Sequence, residues 1–278
     1  MMTLREVSRY FDRVQASNPI TGAPLFLCQF SNYDGSKRDA FAAYRRVMST
    51  DPDTAVQPGH VVSALGKTWM LGDDHPDGWD ELHRRKFVAH RAAGQAGVQS
   101  LQSYLANSTP TNVWADMRWV GDTSEEGESS DKIERHVAIL PAGASVKPYD
   151  LISLGGDTML VSSAALQSSG FMEARGLVQE TPARETLSLV QRVFTPATGG
   201  YNETSPTPVL TFRARWQEMF RYEDQLDERF QEGDETFAVP AATAVKSGDA
   251  FTVSGRRYLV AAVRALAGVK VIHGRPAV

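Results

Sequence analysis

Val56-Gln-Pro-Gly-His-Val-Val-Ser-Ala-Leu-Gly66, Val146-Lys-Pro-Tyr-Asp-Leu-Ile-Ser-Leu-Gly-Gly156 and Val245-Lys-Ser-Gly-Asp-Ala-Phe-Thr-Val-Ser-Gly255 align without a gap. Each runs 10 residues from valine to closing glycine, and three residues later comes a large apolar side chain: Trp69, Met159 or Tyr258. The anchoring valines stand 90 and 99 residues apart. Self-similarity of this kind marks tandem copies of one unit. Within each block the residue types spell a β-hairpin. Pro58-Gly59, Pro148-Tyr149 and Ser247-Gly248 form a turn ahead of the first strand, because Pro and Gly supply turn dihedrals cheaply. In the third copy Ala250, Thr252 and Ser254 take one face and Phe251 and Val253 the other. Gly66, Gly156 and Gly255 stand where a tight hairpin demands positive φ.

The likeness extends beyond the hairpin. Asn112 to Val120 and Val209 to Gln217 read as alternating strands, each carrying a tryptophan (Trp114 and Trp119; Trp216). An acidic stretch follows each, and then Val137-Ala-Ile-Leu-Pro141 and Phe237-Ala-Val-Pro240, each with its proline five residues before the anchor. Segments from Gly170 and Gly268 supply a closing strand. Five or so short strands in such a span make a small barrel or sandwich. The first unit matches least well. Leu25 to Phe30 is its opening strand, but Asp39 to Met48 has helical spacing (Phe41, Tyr44, Val47 or Met48), and part of Trp79 to Leu105 reads as a helical bridge.

The expected fold class is therefore mainly β, as tandem small barrel or sandwich units. An amphipathic N-terminal helix precedes them, with Leu4, Val7, Phe11 and Val14 on one face. Stretches rich in Pro, Gly, Ser and Thr near Asn107 to Pro110 and Thr195 to Pro208 set the expected cuts. These give an N-terminal helix and arm over 1–22, a first unit over 23–108, a second over 109–195 and a third over 205–278. Val56, Gly66, Trp69, Trp114, Trp119, Val146, Gly156, Met159, Trp216, Val245, Gly255 and Tyr258 are the expected repeat and core anchors.

Composition narrows the function classes. A net charge of −4 argues against a dedicated nucleic-acid binder. One cysteine, Cys28, rules out an internal disulfide and a Cys-rich zinc site. The charged N-terminus is no signal peptide, and no apolar run reaches the roughly 18–20 residues of a membrane span. A soluble protein made in a cytoplasm is expected.

Val113-Trp-Ala115, Asp150-Leu-Ile152 and Gly156-Asp-Thr-Met-Leu-Val161 in the second unit, with Gly248-Asp249 and Gly255-Arg-Arg-Tyr-Leu-Val260 in the third, resemble the head-closure proteins of tailed bacteriophages. These are also called stopper, head-completion or head–tail joining proteins. The resemblance implies a small β-barrel packed around the neck channel of the virion in a homo-oligomeric ring, a dodecamer being favoured. Such a ring lies between a portal or adaptor protein and a tail protein, closes the filled head and passes genomic DNA with transient, non-specific contact. Members of that family usually hold one barrel, whereas this chain would hold three. The acidic stretches, with Asp122, Glu125, Glu126, Glu128 and Asp131 in one and Glu228, Glu232, Asp234 and Glu235 in the other, admit two readings. They could face the channel and repel phosphates so that duplex slides, or they are solvated surface.

Catalytic chemistry finds little support in the motifs, and no enzyme, metal or cofactor is expected. Asp73-Asp74-His75-Pro76-Asp77 lacks the alternating ligands of a hard-cation loop and reads as a polar hairpin tip. His83 and His90 lack metalloprotease spacing and read as surface or interface histidines, and Gly155-Gly156 and Gly199-Gly200 lack the phosphate-loop partners. No serine sits in a nucleophile elbow. Cys28 reads as a small buried apolar residue, and His83 to Lys86 with Arg91 as a solvated basic face or else a grip on DNA or an acidic partner ring. A carbohydrate- or partner-binding β-module of a tail or baseplate, using aromatic platforms such as Trp79, is the alternative.

Overall fold

The computed structural model describes residues 13–33, 41–79, 84–120, 136–179, 183–195, 199–213 and 234–277. The chain folds into three closed, six-stranded antiparallel barrels of one topology. The first is built from β1 (Val14–Ser17), β2 (Pro24–Asn32), β3 (Arg45–Thr50), β4 (Val61–Ala64), β5 (Lys67–Trp79) and β6 (Arg85–Arg91). The second holds β7 (Gly94–Gln99), β8 (Thr111–Trp119), β9 (His136–Pro141), β10 (Leu151–Leu154), β11 (Asp157–Leu166) and β12 (Phe171–Gln179). In the third, β13 (Arg184–Val190), β16 (Thr207–Arg213), β17 (Glu235–Pro240), β18 (Ala250–Val253), β19 (Arg256–Leu266) and β20 (Val269–Pro276) close the barrel, and β14 (Arg192–Thr195) pairs with β15 (Gly200–Glu203) as a separate hairpin. In every unit the first three strands form a meander, the third pairs with the sixth, and the fourth closes on the first.

The aligned hairpins occupy the same place in all three barrels. β4–β5, β10–β11 and β18–β19 are joined by two-residue turns in which both residues have positive φ: Leu65-Gly66, Gly155-Gly156 and Ser254-Gly255. That is the dihedral signature of the turn whose twist matches the flanking strands. Upstream, His60, Asp150 and Asp249 each donate a backbone N–H to the residue three before (Gln57, Lys147, Lys246), and the intervening Gly59, Tyr149 and Gly248 all have positive φ. Asp150 and Asp249 also accept from the Lys147 and Lys246 amides at 2.8 and 2.9 Å, and His60 Nδ1 does the same for Gln57. The register shifts after Leu71, Val161 and Val260, equivalent positions in the three units. A bulge there bends the long strand and lets a short sheet close.

No heavy atom lies within 4 Å of a Cβ placed on Gly255, whose φ is +75°. Gly255→Ala therefore tests backbone strain alone. It should cost about 1–2 kcal/mol, read as a lowered urea midpoint with an unchanged slope.

Each barrel has its own interior. Ala16, Cys28, Met48, Val56, Trp69, Leu71 and Phe87 fill the first; Ala115, Leu140, Val146, Ile152, Met159 and Val161 the second; Leu187, Phe237, Phe251, Val253, Tyr258 and Ile272 the third. Val245 packs half-buried against the third core. Trp69, Met159 and Tyr258 stand at one equivalent site, and each settles its polar atom locally. Trp69 Nε1 donates to the Ala64 carbonyl at 3.1 Å, Tyr258 Oη donates to Glu235 at 2.8 Å, and Met159 has none to settle. Full burial of such a side chain contributes roughly 1.5–3 kcal/mol.

Several expectations are corrected. Residues 1–12 of the expected N-terminal helix lie outside the described residues, but Val14, placed on its apolar face, opens β1 instead. Asp39 to Met48 is no helix where described: a single 3₁₀ turn over Ala42–Tyr44 leads into β3. β3 is buried on both faces, Val47 through Thr50 without interruption, which erases the two-residue alternation. Among its described residues, Trp79 to Leu105 carries β6, β7 and one short helix, α1 (Leu101–Leu105), capped by Ser100. Asp73 to Asp77 lies inside β5, not at a hairpin tip. His83 lies outside the described residues, and Arg84 is buried instead of lying on a solvated face.

The unit boundaries also move upstream by one strand. β1, β7 and β13 begin the three barrels, so the junctions are Ala92-Ala93 and the short link from Gln179 to Arg184. The Pro- and Ser-rich stretches taken as linkers are long connections inside units, between first and second strands. Turn-forming composition marks a long loop wherever it falls; the true junctions are too short to show it.

Candidate functional site: the seams between units

The residues that join the barrels form two equivalent buried seams. In the first, Phe41, Met70, Val88 and Ala92 of unit one pack with Val137, Ile139 and Phe171 of unit two, with Trp114 at the edge. A Cβ on Gly72 would run into the Ser169 carbonyl oxygen and come within 2.6 Å of Phe171 Cε2, so glycine is what permits this approach. The Asp73 amide donates to that same carbonyl at 2.9 Å. In the second seam α1 acts as a wedge. Leu101, Tyr104 and Leu105, with Leu151 and Leu160, meet Phe212, Ala238, Val269 and Val271 of unit three. The Tyr104 and Phe212 rings cross edge to face at 5.4 Å, and Arg184 covers Tyr104 while its guanidinium bonds Asn107.

Register shows that the seams repeat. Val61 and Met70 in the first correspond to Leu151 and Leu160 in the second, while Ile139, Phe171 and Asp116 correspond to Ala238, Val269 and Phe212. One face of each unit, the hairpin face, therefore packs on the meander face of the next. The contact is head to tail.

The first seam encloses a polar group. His90 Nε2 lies 2.9 Å from Asp116 Oδ2, with both residues fully buried. Arg118 Nε donates to the same oxygen at 2.7 Å, and its guanidinium sits 3.4 Å from the centre of the Tyr44 ring. Burial, outweighing the pull of Asp116, holds the His90 imidazole below its ordinary 6.5. Its Nδ1 has no hydrogen-bond partner, so a second proton would be buried unpaired. The neutral ring thus donates from Nε2. Burial alone would raise the Asp116 carboxyl, but the hydrogen bonds from His90 and Arg118 prevail and hold it low.

Both depressed values act in one direction. His90 contributes stability that is complete above about 6.5 and is lost as pH falls from there towards its folded value. Asp116 contributes stability present above the ordinary carboxyl range and lost as pH falls through its own lowered value. The seam should therefore weaken on acidification below pH 6.5, and His90→Gln should flatten the upper part of that dependence. Urea midpoints measured across the pH range check this.

Of the expected anchors, Val56, Trp69, Val146, Met159 and Tyr258 are buried in their barrel cores, while Gly66, Gly156 and Gly255 take the turn positions. Trp114 faces outward into the first seam instead of into a core. Trp119 is 60% exposed, because β8 runs on past Met117, the last of its side chains packed on the core. Trp216 lies outside the described residues, as do Asp122, Glu125, Glu126, Glu128, Asp131, Glu228 and Glu232. Asp234 and Glu235 are described and are bound internally. Asp234 is buried against Arg275, and Glu235 joins Tyr258, Arg213 at 3.0 Å and Arg256 at 3.1 Å. Asp116 and Gly72 were missed, since no motif marks side chains that meet only when two barrels dock, whereas His90, read as a surface or interface histidine, lies buried in that interface. Among the described residues no helix is long and apolar enough to cross a membrane. The chain matches no protein-family model, no curated protein and no solved structure.

Proposed function

We propose that this chain is a structural component of a tailed-phage neck, forming a ring between portal vertex and tail that closes the filled head and passes DNA. The observation that carries the reading is the pair of equivalent buried seams. They couple three small barrels of one topology into a single mechanical element. Its role is mechanical and not catalytic: barrels supply packing faces, and the connections between strands supply contacts to a portal or adaptor protein on one side and a tail protein on the other. The motif resemblance in units two and three points the same way. Apart from Val113-Trp-Ala115 on β8, its residues lie in the strands and turns of the repeated hairpin.

Imaging of the virion tests it. The expected result is a ring of triple-barrel subunits between portal and tail. Density on a fibre instead, or a chain made by cells that carry no phage structural genes, overturns it. A second reading, a carbohydrate- or partner-binding module of a tail or baseplate, draws on the exposed Trp119, Phe194 and Tyr201 side chains. Saturable binding of an oligosaccharide that is lost in Trp119→Ala or Tyr201→Ala would favour it.

A further inference from the structure

Two seams in a chain of three units leave the hairpin face of unit three and the meander face of unit one without a neighbouring barrel. The hairpin face of unit three holds Ala250, already buried, and the half-buried Leu259, the counterparts of Leu151 and Leu160 in the second seam. Where unit two inserts α1 between its first and second strands, unit three inserts the β14–β15 hairpin between β13 and β16. In unit two that insertion is the wedge that seats on the next barrel. In unit three it presents Val193, Phe194 and Tyr201, each more than half exposed. Phe194 and Tyr201 are a directly paired, edge-to-face aromatic couple at 5.5 Å. Glu203 anchors the base through Arg192 and Arg257, and Asp249 accepts from the Arg192 amide. It is a braced arm with apolar side chains along its strands.

The opposite end of the chain has a matching surface. On β2 of unit one, Leu27 corresponds to Trp114 and Gln29 to Asp116 and Phe212, the residues that receive a neighbour in the two seams. Leu25 and Leu27 are each about half exposed, at 49% and 47%. The centre of this face is polar and already buried, with Ser49 and Arg84 each under a tenth exposed and Gln29 bonded by Arg84 at 2.7 Å, so Leu25 and Leu27 are its exposed part. The first seam likewise closes over a polar centre, His90 with Asp116.

We propose that the hairpin face of unit three, led by Phe194 and Tyr201, docks on the Leu25, Leu27 and Gln29 face of unit one of a second copy, continuing between chains the seam that recurs within the chain. Such a contact is heterologous: the two surfaces differ, so copies add head to tail and close into a ring or run on. The inference rests on the repeated seam and not on the neck reading. A protein that assembles this way but is absent from virion necks would sink that reading and leave this one standing.

The test uses the full chain and measures mass in solution by light scattering and native mass spectrometry. At tens of micromolar the protein should exceed the 30.5 kDa of one chain, and Phe194→Ser with Tyr201→Ser should return it to that mass. Both side chains are exposed, so the barrels should melt as before; an unchanged melt shows that the loss is one of docking. Tyr201→Cys and Leu27→Cys, made in separate chains and mixed under oxidation, should form a mixed disulfide that neither forms alone. Cys28 will not compete, being buried with its thiol pushed up to about 12. A monomeric wild type, an assembly that survives the double serine variant, absence of the mixed disulfide, or a disulfide formed in Tyr201→Cys alone each overturns the proposal.

Discussion

Tyr258→Ala should cost about 3–5 kcal/mol and melt the third barrel ahead of the other two. Tyr258 is fully buried, stacked on Phe251 at 5.1 Å and crossed edge to face by Phe237 at 5.3 Å. These three rings are the largest side chains in the third barrel's interior, so truncation leaves a large void. The hydroxyl is a separate contribution. Tyr258→Phe keeps the rings and removes only the bond to Glu235, which still has Arg213 and Arg256. That change should cost about 0.5–1.5 kcal/mol. Hydrogen exchange read by mass spectrometry separates the outcomes. Protection should fall in β17 to β20 in the alanine variant and persist in β2 to β12. Uniform loss over all three barrels would mean that the interiors are not independent.

Phe171→Ala should have a similar magnitude, about 3–5 kcal/mol, with a different consequence. Phe171 is fully buried, yet its partners are those of the first seam: Met70, Val88 and Ile139, the His90 ring at 5.8 Å and the Arg45 guanidinium at 5.7 Å. Losing it should uncouple unit one from unit two while leaving both interiors filled. Calorimetry should then resolve a transition for unit one that the wild type merges with the rest. A single transition, merely shifted down, would show that cooperativity between the barrels does not run through this seam. Gly72→Ala attacks the same seam by overpacking, at about 1–3 kcal/mol, and should reproduce the split.

How much of this was legible beforehand depends on the range of the physics involved. The hairpin turns at Gly66, Gly156 and Gly255 were readable because a positive-φ requirement is a property of two adjacent residues. Val56, Val146, Trp69, Met159 and Tyr258 were readable because strand alternation and a repeated spacing place them without reference to distant chain. Trp119 misled for the same reason. Alternation along β8 is local, whereas where a barrel interior ends is not. β3 misled because Val47 and Ser49 on its outer face are buried as thoroughly as Met48 and Thr50 on its inner one, and a strand covered on both sides loses its period.

By itself the sequence determined that the chain is β-rich, that one hairpin occurs three times, and which residues turn it and anchor its core. Those properties follow from backbone sterics and side-chain alternation over a few residues. Only the tertiary structure decided that six strands and not five close each barrel, that each unit starts one strand earlier, and that His90, Asp116, Gly72 and Phe171 share a seam. These outcomes depend on surfaces far apart in the chain, and their joint burial has no local pattern to announce it.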